Sequence, residues 1–229
     1  MLFKYILPSL LATSTVAVPV ADIDNSGDNL VLFKRDDLLD ARDLELADIH
    51  GVNVTEMYKH SMLKRDDGDH VVVWVARDFI EANDGQGVSK RQTARPGTNS
   101  NFQNDAISDY CRDHKRQNHA GPNGPFSGGV KAMYGWARGH SGGSWPVGSG
   151  WKNLVLAGSN SGANALYRAR VTSGDVTHVG TQDVRNDADW TQQRAQKFNG
   201  QWRASSKGGE TCSTNDRINY EIIRTDYRL

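Results

Sequence analysis

The sequence predicts an α+β fold: one small domain in which an N-terminal helix packs on an antiparallel sheet, with a second helix and one disulfide. Three observations predict it. A basic stretch of 138 residues, 92–229, is long enough for one hydrophobic core. Within it, a helical pattern comes first, alternating segments follow, and a second helical pattern falls among them. The chain has two cysteines, Cys111 and Cys212, both inside this stretch, and an even count suits one disulfide in an oxidising compartment.

The elements follow in chain order. "NSNFQNDAISDYCRDHKRQNH" (99–119) reads as a helix. Ser100 or Asn101 can cap it, and Phe102, Ala106, Ile107, Tyr110 and Cys111 fall on one face. "AGPNGPFSGG" then breaks the chain. "VKAMYGW", "NLVLAG" and "NALYRARV" read as strands. In the last, Tyr167, Ala169 and Val171 alternate with Arg168 and Arg170, which gives one apolar and one cationic face. "DVTHVGTQDV" reads as a further strand. "DADWTQQRAQKF" reads as a helix that begins near Asp187 or Asp189, carries Trp190 and Phe198, and stops at Gly200. "NYEIIRTDY" is the closing strand.

The first 91 residues have a different character. Residues 1–21 hold one early charge, Lys4, and then an apolar run spotted with Ser and Thr, ending in small residues. That run is too short to span a bilayer, so a secretory signal cut at roughly 17–21 is expected, with a product that has no stable membrane insertion and is extracellular. Residues 22–91 form an acidic pro-segment. It carries three Lys-Arg pairs, Lys34-Arg35, Lys64-Arg65 and Lys90-Arg91, which are expected sites for a kexin-type processing protease. Asn53 opens the sequon Asn53-Val54-Thr55, a glycosylation acceptor.

Charge divides the chain at the same place. From Val18 to Arg91 there are 16 acids against 9 bases, a net of −7; from Gln92 to Leu229 there are 11 acids against 17 bases, a net of +6. The overall neutrality averages an acidic leader with a basic domain. Leu38, Leu39, Leu44, Leu46 and Ile49 suit an amphipathic helix that lies on that domain, and "HVVVWVARDFI" reads as a strand. A leader that is only a spacer is the other reading.

The pentapeptide "GHSGG" (139–143) fits the G-x-S-x-G pattern of a nucleophile elbow and also looks like the serine loop of trypsin-like proteases. Pro146, Gly148 and Gly150 follow too closely for the helix an elbow needs. The basic stretch is also too short for either enzyme fold, so Ser141 is expected in a Gly/Ser loop between strands. His114 and His119, five residues apart, do not share a helical face and make no metal pair. The motifs call for no cofactor and no metal. Trp136, Trp145, Trp151, Trp190 and Trp202 either line a stacking groove or anchor core and loops.

A signal peptide, an acidic leader ending in Lys-Arg ("KRDD", "SKRQT") and a small basic disulfide domain are similar to the prepro layout of fungal secreted, kexin-processed effectors and killer-toxin-like proteins. The resemblance is one of layout and carries no residue roles. Two functions remain open. One is a secreted effector or toxin-like protein that binds an anionic host or competitor target (protein, glycan or RNA) without catalysis. Its candidate binding residues are Arg168, Arg170, Arg112, Lys115 and Arg116. The other is a small secreted ribonuclease-like hydrolase in which His178, Glu221 and Arg168 supply acid/base and anion-binding groups.

Overall fold

The computed structural model describes residues 30–64, 70–81, 110–140, 142–159 and 164–225. They form an α+β fold around one eight-stranded sheet, every neighbouring pair antiparallel. Its strands are β1 (Leu30–Leu32), β2 (Met57–Lys64), β3 (His70–Ala76), β4 (Cys111–Asn118), β6 (Lys152–Ser159), β7 (Asn164–Ser173), β11 (Ser206–Cys212) and β12 (Arg217–Ile223). Their spatial order is β1-β2-β3-β6-β7-β12-β11-β4. Two small ribbons accompany the sheet: β5 (Ser144–Val147) with β8 (Thr177–Gly180), and β9 (Gln196–Phe198) with β10 (Gln201–Arg203).

Alternation along the strands gives the sheet two faces. One carries Val71, Val73, Val75, Val155, Ala157, Tyr167, Ala169, Ile218, Tyr220 and Ile222, and it is covered by α2 (Ser127–Gly139), α3 (Thr181–Gln192) and the β5–β8 ribbon in a single core. The other face carries Trp74, Val72, Leu156, Leu166 and Ile223 at one end, beneath α1 (Ala41–His50).

The acidic and basic stretches therefore build one sheet. β3 pairs with β6 from Val71↔Ser159 to Val75↔Val155, and both strands are buried there. The pair Lys90-Arg91 lies outside the described residues, between Glu81 and Tyr110.

Several elements differ from the sequence reading. The expected first helix is, from Cys111 on, strand β4; its earlier part lies outside the described residues. Asp113 adopts φ 56° and the ladder with β11 shifts there. This bulge breaks the two-residue alternation of "CRDHKRQN", and helix-compatible residues then imitate a helix. "VKAMYGW" is helical: Val130, Met133, Trp136 and Ala137 face the core at spacings of three and four. The alternation of Val130, Ala132, Tyr134 and Trp136 hid this. Gly129 lets α2 approach the sheet, because a Cβ there would stand 3.2 Å from Ala165.

"DVTHVGTQDV" is half strand and half helix, since α3 already starts at Thr181. Asp183 anchors that start, its carboxylate accepting from the backbone N–H groups of Gly180, Tyr110 and Cys111 at 2.8, 3.2 and 3.1 Å. The helix ends at Gln192, and Phe198 belongs to the β9–β10 hairpin, turned by Asn199 (φ 47°) and Gly200 (φ 82°). Strands β3, β6, β7 and β12 stand where the sequence places them.

Cys111 and Cys212 are bonded across the β4–β11 pair, with Cα atoms 3.9 Å apart. The bond spans 101 residues and by loop entropy is worth about 4–5 kcal/mol.

Candidate anion-binding face

Beyond the end covered by α1, the described residues place no helix on the second face of the sheet. Register lines up its side chains in three rows. The first holds Gln117, Lys207, Glu221, Arg168 and Asn153; the second Lys115, Gly209, Asn219 and Arg170; the third Arg112, Thr211 and Arg217. Six cations and one carboxylate, Glu221, thus share four adjacent strands spaced about 4.8 Å apart. Gly209 leaves the middle of this face low, since the first side-chain atom a Cβ there would meet is 3.5 Å away.

The cations are not equivalent. Arg168 is 8 % exposed and donates through Nε and Nη2 to Glu221, the Nε bond measuring 2.7 Å. It is a committed ion pair. Arg168 and Arg170 both lie over the Trp151 ring, with guanidinium carbons 4.4 and 4.7 Å from its centroid. Arg170 has a buried Nε that meets no acceptor. Among the described residues no carboxylate pairs with Arg170, Lys115, Lys207 or Arg217. Arg112 donates to Asn215 Oδ1 at 3.0 Å and lies 3.7 Å from Asp113.

Arg116 belongs elsewhere. It projects into the helical side and donates from Nε to Asp187 Oδ1 at 2.7 Å. There it joins a buried network in which the Tyr167 hydroxyl donates to Asp187 Oδ2 at 2.9 Å and His114 Nδ1 bonds Glu210 Oε1 at 2.6 Å. Burial draws the His114 imidazole down, but the bonds to Asp187 and Glu210 outweigh it and push its pKa up to about 10. Burial would raise Asp187, yet its bonds and the charges of His114 and Arg116 hold it below the usual carboxylate range. Burial and the Asp187 charge push Glu210 well above that range.

Ligand atoms of His114, Asp187 and Glu210 lie within 4.8 Å of one another. His114 and the Arg116 guanidinium already occupy these carboxyls as hydrogen-bond partners, so the set reads as a structural cluster.

The candidate acid/base set is not assembled. Glu221 and Arg168 are partners on the second face. His178 sits in β8 on the helical side, its Nδ1 3.4 Å from Ser144 Oγ and its ring stacked on Tyr110 at 5.4 Å. Glu210 is a buried strand residue. Ser141 lies outside the described residues. Next to it, His140 donates from Nδ1 to the Trp136 carbonyl at 3.0 Å. A Cβ on Gly143 would stand 2.0 Å from the Phe79 ring, so the glycine after Gly142 in this pentapeptide seats an aromatic side chain. Trp136 and Trp145 are core residues, while Trp202 is 54 % exposed.

Sequence reasoning missed Lys207 and Arg217. The alternation of Arg217, Asn219 and Glu221 with Ile218, Tyr220 and Ile222 was available in "RINYEII" and puts Arg217 on the polar face. Lys207 has no such signal, because it stands between Ser206 and Gly208-Gly209. No family model matches the chain, and no curated protein sequence matches it.

Among the described residues no helix is long and apolar enough to cross a membrane.

Proposed function

We propose that this chain is a secreted effector or toxin-like protein, cut by a kexin-type protease at Lys90-Arg91, that binds an anionic host or competitor partner without catalysis. The observation that carries the binding is the open half of the sheet, where Lys115, Lys207, Arg170 and Arg217 stand on one face and Glu221 of that face is engaged by Arg168. Long-range attraction to a polyanion follows from this excess of cations. The partner class is a polyanion such as a sulfated glycan, an acidic protein surface or RNA. The separation of His178 from Glu221 and Arg168 disfavours the ribonuclease-like alternative.

The test uses the double variant Lys115→Glu/Arg170→Glu, which leaves the Arg168–Glu221 pair and both cores untouched. Wild type is expected to bind heparin or RNA columns and to elute earlier as salt rises, since each released counterion steepens the dependence. The variant is expected to flow through while keeping its near-ultraviolet circular dichroism. Retention equal to wild type would remove this face from the proposal. RNA incubated with wild type is expected to stay intact, and turnover abolished by His178→Ala would reverse the non-catalytic assignment.

A further inference from the structure

The basic stretch has seats for side chains of the acidic one. A Cβ on Gly158 of β6 would lie 2.6 Å from the His50 ring of α1, and a Cβ on Gly143 would lie 2.0 Å from the ring of Phe79. His50 is fully buried in its seat; its Nε2–H donates to the Ser159 carbonyl at 2.9 Å and its Nδ1 accepts from Trp74 Nε1 at 3.1 Å. At the other end, Trp136 Nε1 donates to His60 Nδ1 at 3.2 Å. Ile80 and Ser144 exchange both backbone hydrogen bonds, at 2.9 and 3.0 Å. Lys152 pairs with Asp78, and Asn164 donates to the His50 carbonyl at 3.4 Å. Beneath these contacts runs the β3–β6 ladder, with Val73, Trp74, Val75, Val155 and Ala157 fully buried.

Two of the Lys-Arg pairs meet described elements. The Arg35 guanidinium donates to the Phe79 carbonyl at 2.5 Å and lies over the Tyr58 ring. Lys64 pairs with His70 in the β2–β3 ladder. A protease that reads two cations along an extended peptide must dismantle either arrangement first. Lys90-Arg91 falls between Glu81 and Tyr110, outside the described residues.

Resting on the processing proposed above, we infer that cleavage after Arg91 does not release the acidic stretch: residues 30–81 stay in the sheet as a noncovalent subunit of a two-chain protein. Water hydrolyses the Arg91–Gln92 peptide bond, leaving a carboxylate on Arg91 and an amino group on Gln92. Both cysteines are in the second chain, so no disulfide joins the two. What holds them is strand pairing, the two glycine seats and the attraction between a stretch of net −7 and one of net +6.

The test separates this inference from the processing itself. In the full-length secreted protein, residues 88–93 are replaced by the recognition sequence of an unrelated, sequence-specific protease, and an affinity tag is placed ahead of Leu30. After cutting, both chains are expected to elute from gel filtration together, to be held jointly on the tag resin, and to separate in denaturant without reductant. Recovery of a folded second chain free of the first under native conditions would overturn the inference. Gly143→Leu, which fills the Phe79 seat, is expected to lower retention of the second chain after cutting; unchanged retention would count against the glycine seats. N-terminal sequencing of unmodified secreted protein tests the processing separately, with Gln92 expected as the second terminus.

Discussion

Two tryptophans each give their indole N–H to a histidine Nδ1: Trp74 to His50 and Trp136 to His60. An acceptor at Nδ1 fixes the proton on Nε2, and each Nε2–H then has its own acceptor, the Ser159 carbonyl for His50 and Glu81 Oε1 for His60. The imidazoles are thus oriented connectors between α1 or β2 and the rest of the fold. His50 works only because Gly158 has no side chain beneath it. Gly158→Ala is expected to push the ring off both partners and to destabilise the protein by about 1–3 kcal/mol, the usual cost of overpacking a tight site. A denaturant midpoint equal to wild type would show that the ring moves without loss. Nothing in "VLAGSN" announces this role. A glycine seat is made by a partner more than a hundred positions away, and local spacing holds no record of it.

At the scale of elements, α1 shows what local chemistry settles. Asp40 accepts from the Asp43 N–H at 2.8 Å, Asp43 accepts from the Asp40 N–H at 3.3 Å, and Gly51 closes the helix at φ 68°. Asp40→Ala is expected to lose about 1 kcal/mol of stability, read as a lower thermal midpoint, and Asp40→Asn to keep most of it. The sequence marks this helix as amphipathic, but the docked side differs from the expected one. Leu46, Ala47 and His50 are buried, whereas Leu38, Leu44 and Ile49 are exposed. The helix reaches the sheet through a histidine, which a count of apolar residues passes over. β7 and β12 were legible because each is buried on both faces or alternates cleanly along its length. β4 was not, since one left-handed residue at Asp113 shifts its period. α2 was not, because four of its apolar residues also fall at spacings of two. The open face was legible only in part. Arg170 is on the polar side of its strand as the alternation predicts, whereas Lys115 reaches the same face from a segment that reads as a helix; the distinction between them, Arg168 and Arg116 depends on Glu221 and Asp187, which come from other elements.

For the whole molecule, the buried ionisable groups set opposite limits on pH. Burial lowers the pKa of His50 and of His140 below 6.5, although a backbone carbonyl bond raises each. The unfolded chain therefore takes up those protons first as the solution is acidified, and stability falls as pH drops below about 6.5. His50 feels this most directly. Trp74 needs its Nδ1 lone pair, and the charges of His70 and Arg42 oppose a second proton. On the alkaline side, His114 is raised to about 10. Its contribution is complete below about 6.5 and is lost as pH climbs toward 10. The Asp187 contribution, with pKa lowered from 3.8, disappears only in stronger acid. Glu210 opposes one histidine in acid, because burial keeps its proton in the folded protein above pH 4.5, where the unfolded chain loses it. With His50 and His140 together, stability is still expected to peak close to neutrality and to decline on both sides, each fully coupled group adding a slope of about 1.4 kcal/mol per pH unit. Denaturant midpoints measured from pH 5 to pH 10 check this, with variants that assign the limbs. His114→Gln is expected to flatten the alkaline limb and leave the acid limb standing. His50→Gln is expected to flatten part of the acid limb alone. A wild-type profile that rises steadily toward pH 10 would mean that His114 carries no proton in the folded protein, and the network around Asp187 would then hold its charge through Arg116 alone.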